Sequence, residues 1–274
     1  MSTDYYFPQK IPNAALDFRM VQVPGGNFQM GSQEGNPDAW QEEMPQHPVR
    51  LKDFWIAEHP VTQALWEAVM GNNPSNFKGA QRPVEQVSWF DAVVFCNALS
   101  QKIGRKPAYL TPNGQSYGLD GSQWTLPNKG EVLVDTEATG YRLATEAEWE
   151  FAAKGGAGAD YPYQYAGSDL LDQVGWYSEN SGGETQEVGL LLPNALGLYD
   201  MSGNVWEWCE DWYADYEPKE AKNPRGPEQG VDRVFRGGGW GAHSRYCRPA
   251  SRDHGRPVHR DHALGFRLAL QSVG

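Results

Sequence analysis

The chain holds 31 Gly and 19 Pro in 274 residues, set against 11 Trp, 13 Tyr and 10 Phe. Proline fixes φ and removes a backbone donor, and glycine loses the most freedom on folding. So many of both exclude long helices and long strands as the main architecture. What is left is an α+β chain of short strands, few helices and much irregular structure. Large aromatic side chains hold it together, each removing about 150–250 Å² from water. The 39% hydrophobic and 21% charged residues fall in the globular range. No apolar run approaches the ~18 residues of a membrane span.

Charge is unevenly spread. The net charge is −12, yet the stretch from Arg236 to the end carries seven Arg and two Asp. An arginine-rich tail without lysines reads as a buttress, guanidinium groups bracing loops against carbonyls and an acidic body, and no nucleic-acid partner is expected. The three cysteines, Cys96, Cys209 and Cys247, are too few for a disulfide scaffold, although one pair could form. The first ten residues have neither a basic nor an apolar signal region, so the expected default location is cytoplasmic.

Local signals place the main elements. Pro24-Gly25-Gly26 marks a turn between two alternating runs, and a strand returns through residues 48–62. A helix is predicted from Thr62 to Val69, stopped by Gly71. A second opens at Ser88 with Asp91 three residues on and runs to Gly104, burying Cys96. A third opens at Thr145 with Glu148 and ends at Gly155-Gly156. Residues 105–140 read as loop and hairpin, and 156–200 as aromatic loop. GLYDMSGNVWEWCEDWY and DRVFRGGGW read as strands around a long loop, 213–232. LGFRLAL closes the chain as a strand, pinning the termini into one sheet.

Five segments in order then carry a resemblance. They are VPGGNFQMGS at 23–32, PVTQALWEAVMG at 60–71, PVEQVSWFDAVVFCNALS at 83–100, YRLATEAEWEFAAKGG at 141–156 and GLYDMSGNVWEWCEDW at 197–212, followed by RVFRGGGW and LGFRLAL. Together they resemble the sulfatase-modifying-factor family, which contains the formylglycine-generating enzyme. The resemblance spans residues 18–270. It implies one C-type-lectin-like domain over 1–274, whose last two strands and connecting loop form a ligand-facing surface.

The enzyme of that family oxidises a substrate cysteine with Cu(I), O2 and two active-site cysteines; a soft ion suits thiolates. The second of those positions matches Cys247, but the first is Ala242. Cys247 therefore reads as a structural thiol, half of a redox pair, or a ligand under the alternative that the chain is a copper oxidase. Otherwise no cofactor is required. In the enzyme, a loop like Gly203-Asn204-Val205-Trp206-Glu207 supplies oxygens to calcium. Asn204 and Glu207 are thus candidate calcium ligands, or else residues of a turn whose side chains satisfy backbone amides. His243, His254, His259 and His262, with Asp253 and Asp261, invite an iron reading, although their spacing supports no defined site.

The tail also resembles the variable region of proteins diversified by retroelements, which use the same fold. Its frame, RGGGW, CRPASR, Pro257, Arg260 and GFRLAL, is interrupted at Gly241, Ala242, His243, Tyr246, Ser251, Asp253, His254, Gly255, His259, Asp261, His262 and Ala263. Every interruption is encodable by an Asn codon altered only at its adenines, and no Asn follows Asn223. Small residues, Tyr, His and Asp suit an adaptable recognition surface. This resemblance implies a variable region over about 236–270 that binds a macromolecule, most readily a protein. Tyr246 and the histidines would be its anchors, with Trp240, Phe266, Leu268 and the arginines as frame.

Overall fold

The computed structural model describes residues 6–12, 14–117, 119–120, 123–124, 132–156 and 161–272. Part of the expected 105–140 hairpin region lies outside them. The elements are short, as the glycine and proline content requires, and they gather into three main sheets. The largest is antiparallel, in the order Tyr6–Lys10, Asp17–Val23, Phe54–Ala57, Leu268–Gln271 and Arg142–Leu143. The closing strand thus joins the opening one in a single sheet, as expected.

A four-stranded sheet runs Arg252–Gly255, Arg233–Arg236, Trp206–Trp212 and Leu264–Phe266, and its last pairing is parallel. LGFRLAL is therefore two strands, not one: it leaves this sheet after Phe266 and enters the largest sheet at Leu268. The turn at Pro24-Gly25-Gly26 likewise changes sheets. Asn27–Met30 pairs with His47–Arg50, and the segment 48–62 is divided into His47–Arg50 and Phe54–Ala57. A Cβ at Gly25 would meet the Leu51 carbonyl at 2.5 Å, so the crossing requires glycine there.

Three helices follow their caps. Gln63–Met70 starts at Thr62, whose hydroxyl accepts from Leu65, and stops at Gly71 in the left-handed region (φ 78°). Trp89–Lys102 opens on the reciprocal Ser88/Asp91 capping box and Glu146–Ala153 on Thr145/Glu148. Trp66 lies flat on Phe95 at 5.2 Å and meets Phe266 edge-on, joining the first two helices to the Leu264–Phe266 strand. Cys96 sits in this core.

The third helix is buried on every side, including Glu146, Glu148 and Glu150. Three acids in five residues would ordinarily mark a solvent face. Here Arg142 forks onto Glu148 at 2.6 and 2.7 Å, Arg236 reaches Glu150, and Arg252 forks onto Glu146 at 2.7 and 2.8 Å. The last two contacts fasten the tail to the body. Among the described residues no helix is long and apolar enough to cross a membrane.

Candidate recognition surface

The tail is organised by what points inward. Arg236, Arg248, Arg252 and Arg267 are all buried. Arg248 forks onto Glu43 at 2.5 and 2.9 Å, and Arg267 holds Glu207 while also donating to the carbonyls of Ala57, Glu58 and Tyr199. Bidentate guanidinium–carboxylate pairs fix orientation as well as charge. The expected buttress is thus present, and the acids it uses lie 60 to 205 residues away in sequence.

Glycines let the backbone turn sharply above this lattice. Gly237 and Gly238 have φ of 100° and 76°. A Cβ on Gly238 would stand 2.7 Å from the Cys247 sulfur, so the chain passes close over that thiol. Trp240 follows, its amide bonded to the Asn204 carbonyl at 2.8 Å and its indole N–H to the His262 carbonyl at 3.0 Å. One tryptophan thereby ties the start of the tail to the turn at Asn204 and to His262.

Of the twelve interruptions five are exposed, six are half-buried and one is buried. Gly241, His243, His254, His259 and His262 are exposed, and Ala242, Tyr246, Asp253, Gly255, Asp261 and Ala263 are half-buried. Ser251 is fully buried, and its hydroxyl has no partner. It belongs to the frame and offers nothing to a ligand, because the turn carrying it presents its carbonyl to Arg236.

Several of these residues meet fixed aromatic side chains. Tyr246 stacks on Trp40 at 5.6 Å and meets Trp206 edge-on at 6.1 Å, and Trp206 in turn meets Phe235. Gly239, between Trp206 and Ala263, links that row to Trp240, which with Phe77 and His262 forms a second cluster. His259 lies beside Gly255. His254 stands apart, its ring 4.0 Å from Tyr213 and its Nδ1 3.1 Å from Asp232. Burial raises the Asp253 carboxyl, against the bond it accepts from the His254 amide. Trp40, Phe77 and Tyr213 were not foreseen: they stand far from the tail in sequence, and no motif connects them to it.

Residues suited to catalysis or metals do not converge. Cys247 is buried with Tyr165, Leu171, Val174 and Tyr177, and burial pushes its thiol up to about 12. Ala242 packs against the same cluster. Cys209 lies in another cluster beside the third helix, and all three cysteines are free thiols, so neither a disulfide nor a redox pair forms. These residues do not make a two-thiolate copper site.

Nor do Asn204 and Glu207 make a calcium site. Both Glu207 oxygens face Arg267 and one also accepts from the Trp149 indole, while the Asn204 amide is bonded to the Gln186 backbone and to Asp200. Asn204 shapes a turn, at φ 63°. Among the described residues no three His, Cys, Asp or Glu side chains gather as metal ligands, so the four tail histidines, Asp253 and Asp261 form no iron site.

Comparison with known proteins agrees with this architecture. The family model for the sulfatase-modifying factor enzyme 1-like domain matches residues 9–272. The formylglycine-generating enzyme of Thermomonospora curvata is 32% identical, covering 99% of each chain, and the chaperone protein LppX of Paenibacillus barcinonensis is 38% identical, covering 83% of this chain and 80% of that one. The solved structure of Treponema denticola variable protein 1 superposes with a TM-score of 0.87 at 36% identity, covering 97% of this chain and 99% of that one. The fold is therefore the C-type-lectin-like fold of formylglycine-generating enzymes, and the chain belongs to the sulfatase-modifying factor enzyme 1-like family.

Proposed function

We propose that this protein displays a ligand-binding surface, built from its diversified tail, to a macromolecular partner, most readily another protein. One observation carries the reading. Of the twelve interruptions only Ser251 is buried, whereas most of the frame, Arg236, Cys247, Arg248, Arg252, Leu264, Phe266, Arg267 and Leu268, is buried, with Trp240 and Pro257 half-buried and Arg260 exposed. A surface meant to change needs side chains that can be replaced without touching the core, as on loops carried by a rigid scaffold. The likeness to a variable protein supports the same reading.

The contacts would lie on a shallow patch rather than in a deep cleft. Tyr246 and the exposed histidines supply its rigid anchors, and fixed aromatic rings lie beneath them. Diversification by a retroelement is the source of the pattern under this proposal. Sequencing the DNA beside the gene tests it. The expected finding is a near-copy of the tail's coding bases, with adenine wherever the two differ, together with a reverse-transcriptase gene. Absence of both would overturn the retroelement origin.

A further inference from the structure

Six arginines are buried among the described residues. Five of them hold a carboxylate: Arg142, Arg236, Arg248, Arg252 and Arg267. The sixth, Arg233, forms no ion pair with any described carboxylate. It is clamped between the indoles of Trp89 and Trp212, its guanidinium carbon 3.8 and 3.4 Å from the ring centroids. Its Nη1 donates to the Glu210 carbonyl at 2.5 Å, and its Nε has no partner. Aromatic faces attract a cation, and the nearby acids Glu210 and Asp211 act on it without the direct ion pair that the other five possess.

Arg233 also differs from those five in where it sits. It lines an open groove of about 920 Å³, whose walls include Phe90, Val134, Trp212 and Val258. Leu133, Val231 and Val258 stand at the rim with 45%, 57% and 64% of their surface exposed. Two further arginines line the groove and are already matched, Arg225 by Glu210 and Arg256 by Asp232. Two acids also line it, Glu210, which pairs with Arg225, and Glu228, exposed at the rim, so Arg233 is the buried charge of the groove without an ion pair. The groove meets the variable face directly, because Arg256, Pro257 and Val258 lie between the outward positions Gly255 and His259.

We propose that this groove takes an apolar polypeptide segment of the partner bearing a carboxylate, whose oxygens supply the anion that Arg233 lacks while its apolar side chains cover Phe90, Trp212 and Val258. The inference rests on the display reading for the identity of its occupant. None of the groove's walls is a diversified position, so this contact stays constant as the tail changes. Partners of different tails would share the acidic-apolar segment and differ in what surrounds it.

Three fluorescent capped peptides of the pattern Leu-X-Leu-Phe, with X as Asp, Asn or Lys, titrated against the full chain by anisotropy, test this. The Asp peptide should bind about ten-fold tighter than the Asn peptide, and the Lys peptide weaker still. Val258→Asp, at an exposed site that leaves the thermal midpoint unchanged, should abolish the preference. His243→Ala and His262→Ala should leave peptide binding unaltered. Equal binding of Asp and Asn peptides, binding by none of the three, or indifference to Val258→Asp would overturn the proposal. Those results would leave the display reading standing, since that reading fails on the tail variants and the flanking DNA instead.

Discussion

Two sets of residues share the stretch from Arg236 to Arg267 and behave in opposite ways. The arginines Arg236, Arg248, Arg252 and Arg267 point inward onto Glu43, Glu146, Glu150 and Glu207, whereas His243, His254, His259 and His262 point outward. The first set is long, charged and geometrically demanding. The second is compact and partnered at most by neighbours at the surface. Alternation of the two along one segment separates holding a shape from presenting a chemistry. It does so with polar ties, where a conventional core would use apolar packing.

The comparison breaks most violently at the inward set. Arg267→Met should cost about 3–5 kcal/mol in urea unfolding, because Glu207 would remain buried without its counter-ion. A loss under 1 kcal/mol would show that the lattice is incidental. Cys247→Ser ranks next, at about 1–3 kcal/mol, since a hydroxyl would enter an apolar cluster with no partner in view. Binding specificity should survive it, and copper-dependent oxidation of a cysteine peptide by the wild type would contradict the binding role. The native thiol should also stay silent to alkylating reagents at pH 8 until the protein unfolds.

Acid should loosen the inward set gradually. Burial alone would raise Glu148 and Glu150, yet Arg142 holds the first and Lys154 and Arg236 the second below the ordinary carboxylate value. Their stabilisation is complete above about pH 4.5 and drains away as pH falls through the depressed values. Buried Asp211 and Asp200, whose carboxyls are raised, pull the other way, so the denaturant midpoint measured downward from pH 6 should fall less, or rise more, in Glu150→Gln than in wild type, and an identical pH profile for the two would contradict this. The smallest stability effect belongs to the outward set: His243→Ala, His259→Ala and His262→Ala should each fall within about 0.5 kcal/mol of wild type. Together they should abolish partner binding, and retention of full affinity would remove these residues from the interface.

How much of this was legible in the sequence depends on the range of the interaction. Helix caps are local, so Thr62, Ser88 and Thr145 announced their helices to within a residue. The inward arginines of the tail were legible as a buttress, because an arginine-rich segment in an acidic chain finds carboxylates to hold. Burial of Ser251 was not, since its neighbours in sequence say nothing about the Arg236 guanidinium reaching its carbonyl. Glu207 looked like a cation ligand beside Asn204 until Arg267, 60 residues away, claimed both oxygens. The acids of the third helix and the groove beneath Val258 depend on segments brought together only by folding.

Register has one further consequence. The strand Arg233–Arg236 pairs with Arg252–Gly255 so that Arg236 faces Arg252 and Arg233 faces Gly255, and Leu264–Phe266 lies beside Trp206–Trp208. These pairings fix the contour length between the pins. One inserted residue in Arg252–Gly255 would rotate its inward side chain to the opposite face and carry a guanidinium away from its acid. Substitutions at the outward positions would leave these ties in place, whereas an insertion would break them. Antibody loops explore reach and depth by growing or shrinking; under the proposed display role, this scaffold would keep constant relief and vary only the texture that it presents.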